Sequence, residues 1–443
     1  MGFAASRPIV AKLGHLSLRL NPCLVFVVDR AQRFRILAEA AADDRETGLP
    51  GRVHRPPGSQ LRASAGLNDG PVGIRPVRLP GGGSTTLMRV MQTNACSLSC
   101  GYCPTFCGGR VKRTALSPEE VARTFMESHR AGVAQGLFLT SGVPGRAPRA
   151  VDRMLAAIEI LRKREGFAGY VHIKLLPGAE REQVVQATRL ATRVSVNLEG
   201  PNDTVVRGLA REKDYSGDLL PSLELAGRLS REARLEGREG IAPAGTTTQF
   251  VVGALGEQDR EILGVVGGLE RRGLLHHAHF SAFQPVEGTP MEGLRPTPAV
   301  REWRLYQAEH LLRQYGFRFE ELVFGSDGNL GLDHDPKTAW ALTHAEQFPV
   351  SLERAPYELL LRVPGVGPAA ARRLVTERRR TLPRDAQDLR RLGVDAARAG
   401  YFLTLRGRRI RSALPAEQLR LFPPGEHLTQ GPWRTNVPPC AYR

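Results

Sequence analysis

Residues 86–103 read Thr86-Leu-Met-Arg-Val-Met-Gln-Thr93-Asn-Ala-Cys96-Ser-Leu-Ser-Cys100-Gly-Tyr-Cys103, an apolar run that passes directly into a cysteine cluster. The run Thr86–Thr93 has the length and residue types of a buried strand. The cysteines that follow are spaced C-x3-C-x2-C, and with Cys107 four of the six in the chain fall within residues 96–107. Such crowding is the spacing of a metal site, not of a disulfide framework, and it implies a reducing, cytoplasmic setting. Cys23 and Cys440 stand far off in atypical ends and read as incidental. Three thiolates hold three irons of a [4Fe–4S] cubane, because each cysteine ligates one iron, and the fourth iron is left open. The competing readings are a structural zinc site or a cluster with Cys107 as fourth ligand. Zinc knots favour paired C-x2–4-C units with a second pair further along, which this chain lacks.

Outward from the cluster, strand-like and helix-like segments alternate. Strands are expected at Thr86–Thr93, Gly136–Ser141, Tyr170–Leu176, Val194–Glu199, Thr247–Ala254 and His277–Val286. Helices are expected at Ser117–Ala131, Ala150–Lys163, Glu180–Thr192, Leu219–Glu236, Gln258–Arg271 and Thr297–Tyr315. Ser117-Pro118-Glu119-Glu120 is a strong helix start, with an N-cap, a proline at the first position and acids in the first turn. Six βα units predict an α/β fold with a parallel sheet curled into a partial (β/α)6 barrel. Chemistry in such barrels sits at the C-terminal ends of the strands. The barrel is assigned to 85–324. Before it, 1–84 is an atypical leader and a Gly/Pro/Arg-rich loop region. Residues 1–28 carry Arg7, Lys12 and Arg19 with no acid, a pattern that a misassigned start accounts for better than a transit peptide. After it come a connector (325–351), a small helical unit (352–405) and a Pro/Arg-rich tail (406–443).

The cysteine spacing, the aromatic Tyr102 before the third cysteine and the place of the loop after strand one resemble the radical SAM superfamily. The resemblance implies that the open iron binds S-adenosylmethionine (SAM) and that reductive cleavage gives a 5′-deoxyadenosyl radical, with an electron donor as partner. Cys96, Cys100 and Cys103 are then the cluster ligands. Ser141 and Gly142, in Thr140-Ser-Gly142, stand where members carry the turn that receives the SAM amino group. Lys174 shares a strand face with His172 and is a candidate for the SAM carboxylate. In Ser195-Val-Asn197-Leu-Glu199 three polar residues alternate with apolar ones; polar groups on a buried face need partners, and a ribose diol or an amine would supply them. Gln249 and Gly253 close the next strand, where the glycine lets an adenine approach.

The segment Leu359-Leu-Leu-Arg-Val363-Pro364-Gly365-Val366-Gly367-Pro-Ala-Ala-Ala371-Arg372-Arg373 resembles a helix-hairpin-helix module, which makes the second unit a small all-α DNA-binding domain. Pro364 ends the first helix, Gly365 and Gly367 form a tight hairpin, and the next helix turns its positive N-terminus to a phosphate. Val363, Gly365, Gly367, Arg372 and Arg373 are the implied DNA contacts. A degenerate second hairpin is expected around Asp388–Val394. With 62 Lys+Arg against 45 Asp+Glu the net charge is +17 and the pI about 10.3. That balance favours a polyanionic partner. Gln418-Leu-Arg-Leu-Phe422 is similar to the pentapeptide that docks repair proteins on the sliding clamp. No apolar run is long enough to span a membrane.

Thr93-Asn-Ala-Cys96, Gly136–Gly142, Gly169–Lys174, Ala242-Pro-Ala-Gly245 and Asp335–Ala341, followed by the hairpin, give 85–405 an order of parts that resembles bacterial radical SAM proteins associated with DNA modification or repair, often linked to uracil-DNA-glycosylase-like partners. The expected function is therefore SAM-dependent radical modification or repair of DNA. A tRNA-modifying radical enzyme is one alternative. A non-enzymatic DNA-binding protein with a structural or redox-sensing cluster is the other.

Overall fold

The computed structural model describes residues 29–41, 72–78 and 84–410. Its centre is a seven-stranded sheet in the order β1 to β7, comprising β1 (Ile74–Arg78), β2 (Ser84–Met91), β3 (Gly136–Thr140), β4 (Tyr170–Leu175), β5 (Arg193–Val196), β6 (Thr246–Val252) and β7 (His277–Ala282). Strands β2 to β7 are all parallel and form a half-barrel. The expected βα units are present, with strands that stop two to four residues before several of the expected ends.

Alternation along the strands explains the two faces. Met88, Val90, Leu137, Leu139, Val171, Ile173, Val194 and Val196 are buried in one core with the helices α2 (Pro118–Arg130), α3 (Ala147–Glu159), α4 (Arg181–Leu190), α6 (Leu220–Leu235), α7 (Asp259–Arg271) and α8 (Ala299–Gln314). The intervening side chains line the concave face. Helix α2 begins as its sequence dictates: Ser117 Oγ accepts from Glu120 N, and the Glu120 carboxylate accepts from Ser117 N.

Three expectations are corrected. First, the 1–84 region contributes ordered structure. Helix α1 (Arg30–Ala40) is fixed by Arg30 to Glu127 and Arg33 to Glu120, and β1 adds an antiparallel edge to β2. Second, a short helix α5 (Asp203–Leu209), capped by Asn202, follows β5. Third, the C-terminal unit is not all-α, and the connector before it holds a helix. Helix α9 (Pro336–Thr343) lies inside the connector. A small sheet joins β8 (Val350–Ser351) to β9 (Leu403–Leu405) in parallel and β9 to β10 (Arg408–Arg409). Between β8 and β9 run α10 (Tyr357–Leu360), α11 (Pro368–Glu377), α12 (Ala386–Arg391) and α13 (Ala396–Ala399). These make two successive helical hairpins. Cys23, Cys440 and Gln418–Phe422 lie outside the described residues.

Candidate active site

The loop after β2 is held in place before any ligand is considered. Asn94 ties it to the returning chain: its amide donates to Lys112 O at 2.8 Å and its oxygen accepts from Thr114 N at 2.8 Å. The Arg113 guanidinium binds the carbonyls of Thr105 and Phe106 from inside the loop. Glu212 accepts from Ser99 N and Ser99 Oγ. Gly101 is clamped on both sides, its N–H on Leu209 O and its carbonyl on Met291 N.

Cys96, Cys100 and Cys103 are free thiols, the first two buried and the third half-buried. Cys107 stands outside this set. The end of β3 packs on the same loop. Gly142 N–H donates to Thr93 O at 2.7 Å, and a Cβ on Gly142 would meet Ala95 O at 2.3 Å, so only glycine fits there. The Val143 N–H then points at Cys96 Sγ, 3.5 Å away. Ser141, also buried, bonds Gly142 O.

Beside the thiols lies a buried ion pair that sequence reasoning missed. Lys213 Nζ sits 2.7 Å from Glu199 Oε1, both side chains 5% exposed, and donates to Tyr102 Oη at 3.1 Å. Burial opposes the Lys213 charge, yet Cys100, Glu199 and Tyr102 together hold its pKa well above the usual value. Burial pushes the Cys100 thiol up to about 12 against the pull of Lys213, and Cys103 is raised by burial against its bond to Thr105. Glu199 adopts φ 64, a left-handed conformation uncommon for a non-glycine residue. Its backbone is locked there by Gln249 O and Val251 N. Lys213 left no sequence signal, because Arg211-Glu-Lys213-Asp214 reads as a solvated charge run.

The other expected residues divide by depth. Asn197 and Gln249 touch at the strand ends, amide to amide at 3.5 Å, and Asn197 Oδ1 is buried with no partner. Lys174 is half-buried at the end of β4. Ser195, the register partner of Lys174, is fully buried and bonded to His172 at 2.9 Å. Gly253 has φ 86 and backs onto Thr297, whose side chain fills the space a Cβ would need. That contact accounts for the glycine.

Residues 90–266 match the Radical SAM superfamily. The chain carries a radical SAM domain. Domains of this superfamily use a [4Fe–4S] cluster and SAM. Among solved structures the chain is similar to HydG, a maturase of the [FeFe]-hydrogenase, at 13% identity over 51% of this chain and 48% of that one, TM-score 0.39. It is similar to methylornithine synthase (PylB) at 17% identity over 51% and 61%, TM-score 0.41. It is also similar to SuiB of Streptococcus suis bound to SAM, at 13% identity over 46% and 41%, TM-score 0.34. The chain thus spans about half the length of these proteins. No curated protein matches it.

The residues present fit the two cofactors. Three free thiols share one rigid loop with a backbone N–H aimed at one of them, and a cation lies alongside. No three His, Cys, Asp or Glu side chains among the described residues converge on a single ion, whereas a cubane takes each thiolate on a different iron. Asn197 Oδ1 offers an unused acceptor to SAM.

Proposed function

We propose that this chain is a radical SAM enzyme that modifies or repairs DNA. Cys96, Cys100 and Cys103 hold the cluster, which when bound supplies the electron that cleaves SAM. Tyr102, Ser141, Gly142, Lys174, Asn197, Glu199 and Gln249 surround the SAM position, with Lys213 as the buried cation beside it. A barrel pocket cannot reach a base inside a duplex, so the target nucleotide is flipped or single-stranded.

The observation that supports DNA is the first C-terminal hairpin. Gly365 has φ 81, and the N–H groups of Gly365 and Gly367 have no partner among the described residues. Helix α11 starts at Gly367 with no side-chain cap. Its N-terminus is therefore open to an anion, with Arg372 and Arg373 exposed on the following turn and Val363 buried beneath. The second hairpin is closed to phosphate. Asp395 caps α13 through Ala397 N and Arg398 N, setting a carboxylate where an anion would sit.

Arg372→Glu is the clean test, since Arg373 also braces Leu392 O. Retention of duplex DNA by Arg372→Glu should fall about tenfold at low salt and show a shallower salt slope. Unchanged retention and slope would count against the hairpin as the DNA site. The glycosylase-like partner, the sliding clamp and the electron donor remain parts of this proposal, each testable by co-purification.

A further inference from the structure

The half-barrel is polar where a packed barrel is apolar. Interior barrel positions are ordinarily filled by Val, Ile and Leu. Here the concave face carries His172, Ser195, Thr247, Gln249 and His279, all buried. The register sets Ser195 beside Thr247 and Gln249 beside His279. Part of this set is satisfied internally: His172 bonds Ser195, and Gln249 Nε2 donates to Ser281 Oγ at 3.0 Å. Three atoms on this face are not, one of them on the half-buried Arg193 at the start of β5. Thr247 Oγ1, His279 Nδ1 and Arg193 Nε are enclosed without a hydrogen-bond partner among the described residues. Burial, then His277, His172, Arg193 and Arg89, hold His279 well below its usual pKa. It is therefore a neutral ring with one donor and one acceptor. Neither the cysteine loop nor the Glu199–Lys213 pair includes these groups.

We propose that Arg193, Thr247 and His279 form a substrate floor that reads the edge of an oxo-bearing nucleobase; this rests on the nucleic-acid reading above and names the part of the nucleic acid that is recognised. A base carbonyl accepts from Arg193 or His279, and an adjacent ring or amino N–H donates to Thr247 or to the imidazole. An apolar substrate would leave all three atoms unpaired. A buried polar atom without a partner is the less stable arrangement. A flipped base brings both donor and acceptor groups on one rigid edge.

The test uses the full chain with its cluster reconstituted and SAM bound. Binding of thymidine, deoxyuridine, deoxyguanosine, deoxycytidine and deoxyadenosine is measured by calorimetry for the wild type, His279→Leu, Thr247→Val and His279→Gln. At least one oxo-bearing nucleoside should bind, with deoxyadenosine weakest. His279→Leu and Thr247→Val should each lose about tenfold in affinity, and His279→Gln, which keeps a polar edge, should recover part of it. SAM affinity reports that each variant keeps an intact cysteine loop. Binding of none of the nucleosides, or equal binding by wild type and both apolar variants, would overturn the proposal and leave the floor to water. Failure of the DNA reading is seen separately: a wild type that binds nucleosides but retains no duplex would lose the hairpin role while the floor stands.

Discussion

Lys213 and Glu199 are equally buried beside the thiols, so each is tolerable only with the other. Removing one partner of such a pair leaves an uncompensated charge and costs about 3–5 kcal/mol. Lys213→Met should therefore lower stability by roughly that much, whereas Lys213→Met with Glu199→Gln should recover most of the loss. Denaturant titration of the two variants decides it, and equal losses would mean the pair is not coupled. Cys96→Ala, Cys100→Ala and Cys103→Ala should each fail to assemble the iron–sulfur chromophore, while Cys107→Ala should assemble it. At this scale the sequence was legible where the chemistry is local. Three cysteines on one loop declare themselves by spacing. Lys213 reaches its partners from the far side of α5, and nothing near it in the chain records that contact.

Helix α9 shows what an element can do that its length does not advertise. Asp335 caps it through Thr338 N and also binds Arg398 of α13. Lys337 Nζ, buried, donates to Val366 O in the first hairpin at 2.6 Å. One helix thus fixes both hairpins against the barrel. The hairpin glycines should respond differently to substitution. A Cβ on Gly365 would lie 2.6 Å from Asp395 O at a φ of 81, while at Gly367 the nearest contact is Tyr315 Oη at 3.4 Å. Gly365→Ala should cost about 1–3 kcal/mol and expose α10–α11 to proteolysis, and Gly367→Ala should do neither. Similar proteolysis of the two variants would contradict this. The parallel units were legible because each strand and helix repeats its period over enough residues. Strands β8 and β10, two residues each, carry no period. The pairing of β8 with β9 spans more than fifty residues, so the second unit read as all-α.

Across the whole molecule the charge excess and the buried acids pull on solution behaviour. At the end of the half-barrel opposite the cysteines, a cavity of about 460 Å³ is lined by Glu270, His276 and Arg313 among others. Burial, then the neighbouring Glu309, push Glu270 up to about 9; Glu309 itself is held low by His277 and Arg313 against its own burial. The unfolded chain releases the Glu270 proton near the ordinary carboxylate value, while the folded chain keeps it until about pH 9. Between those limits the folded state binds more protons, so stability falls as pH rises. Glu270→Gln removes that penalty. It should stabilise the protein at pH 8 by more than about 1.4 kcal/mol, the worth of one pKa unit, and the gain should vanish in acid below the ordinary carboxylate range. A gain independent of pH would mean Glu270 is not held protonated. No helix among the described residues is long and apolar enough to cross a membrane.

The most direct test asks whether the three cysteines hold a cluster that cleaves SAM. The full chain, reconstituted anaerobically with iron and sulfide, is given SAM and dithionite, and 5′-deoxyadenosine is quantified. The wild type should form it, and Cys96→Ala, Cys100→Ala and Cys103→Ala should not. A fully loaded cluster that yields none would contradict the radical SAM reading.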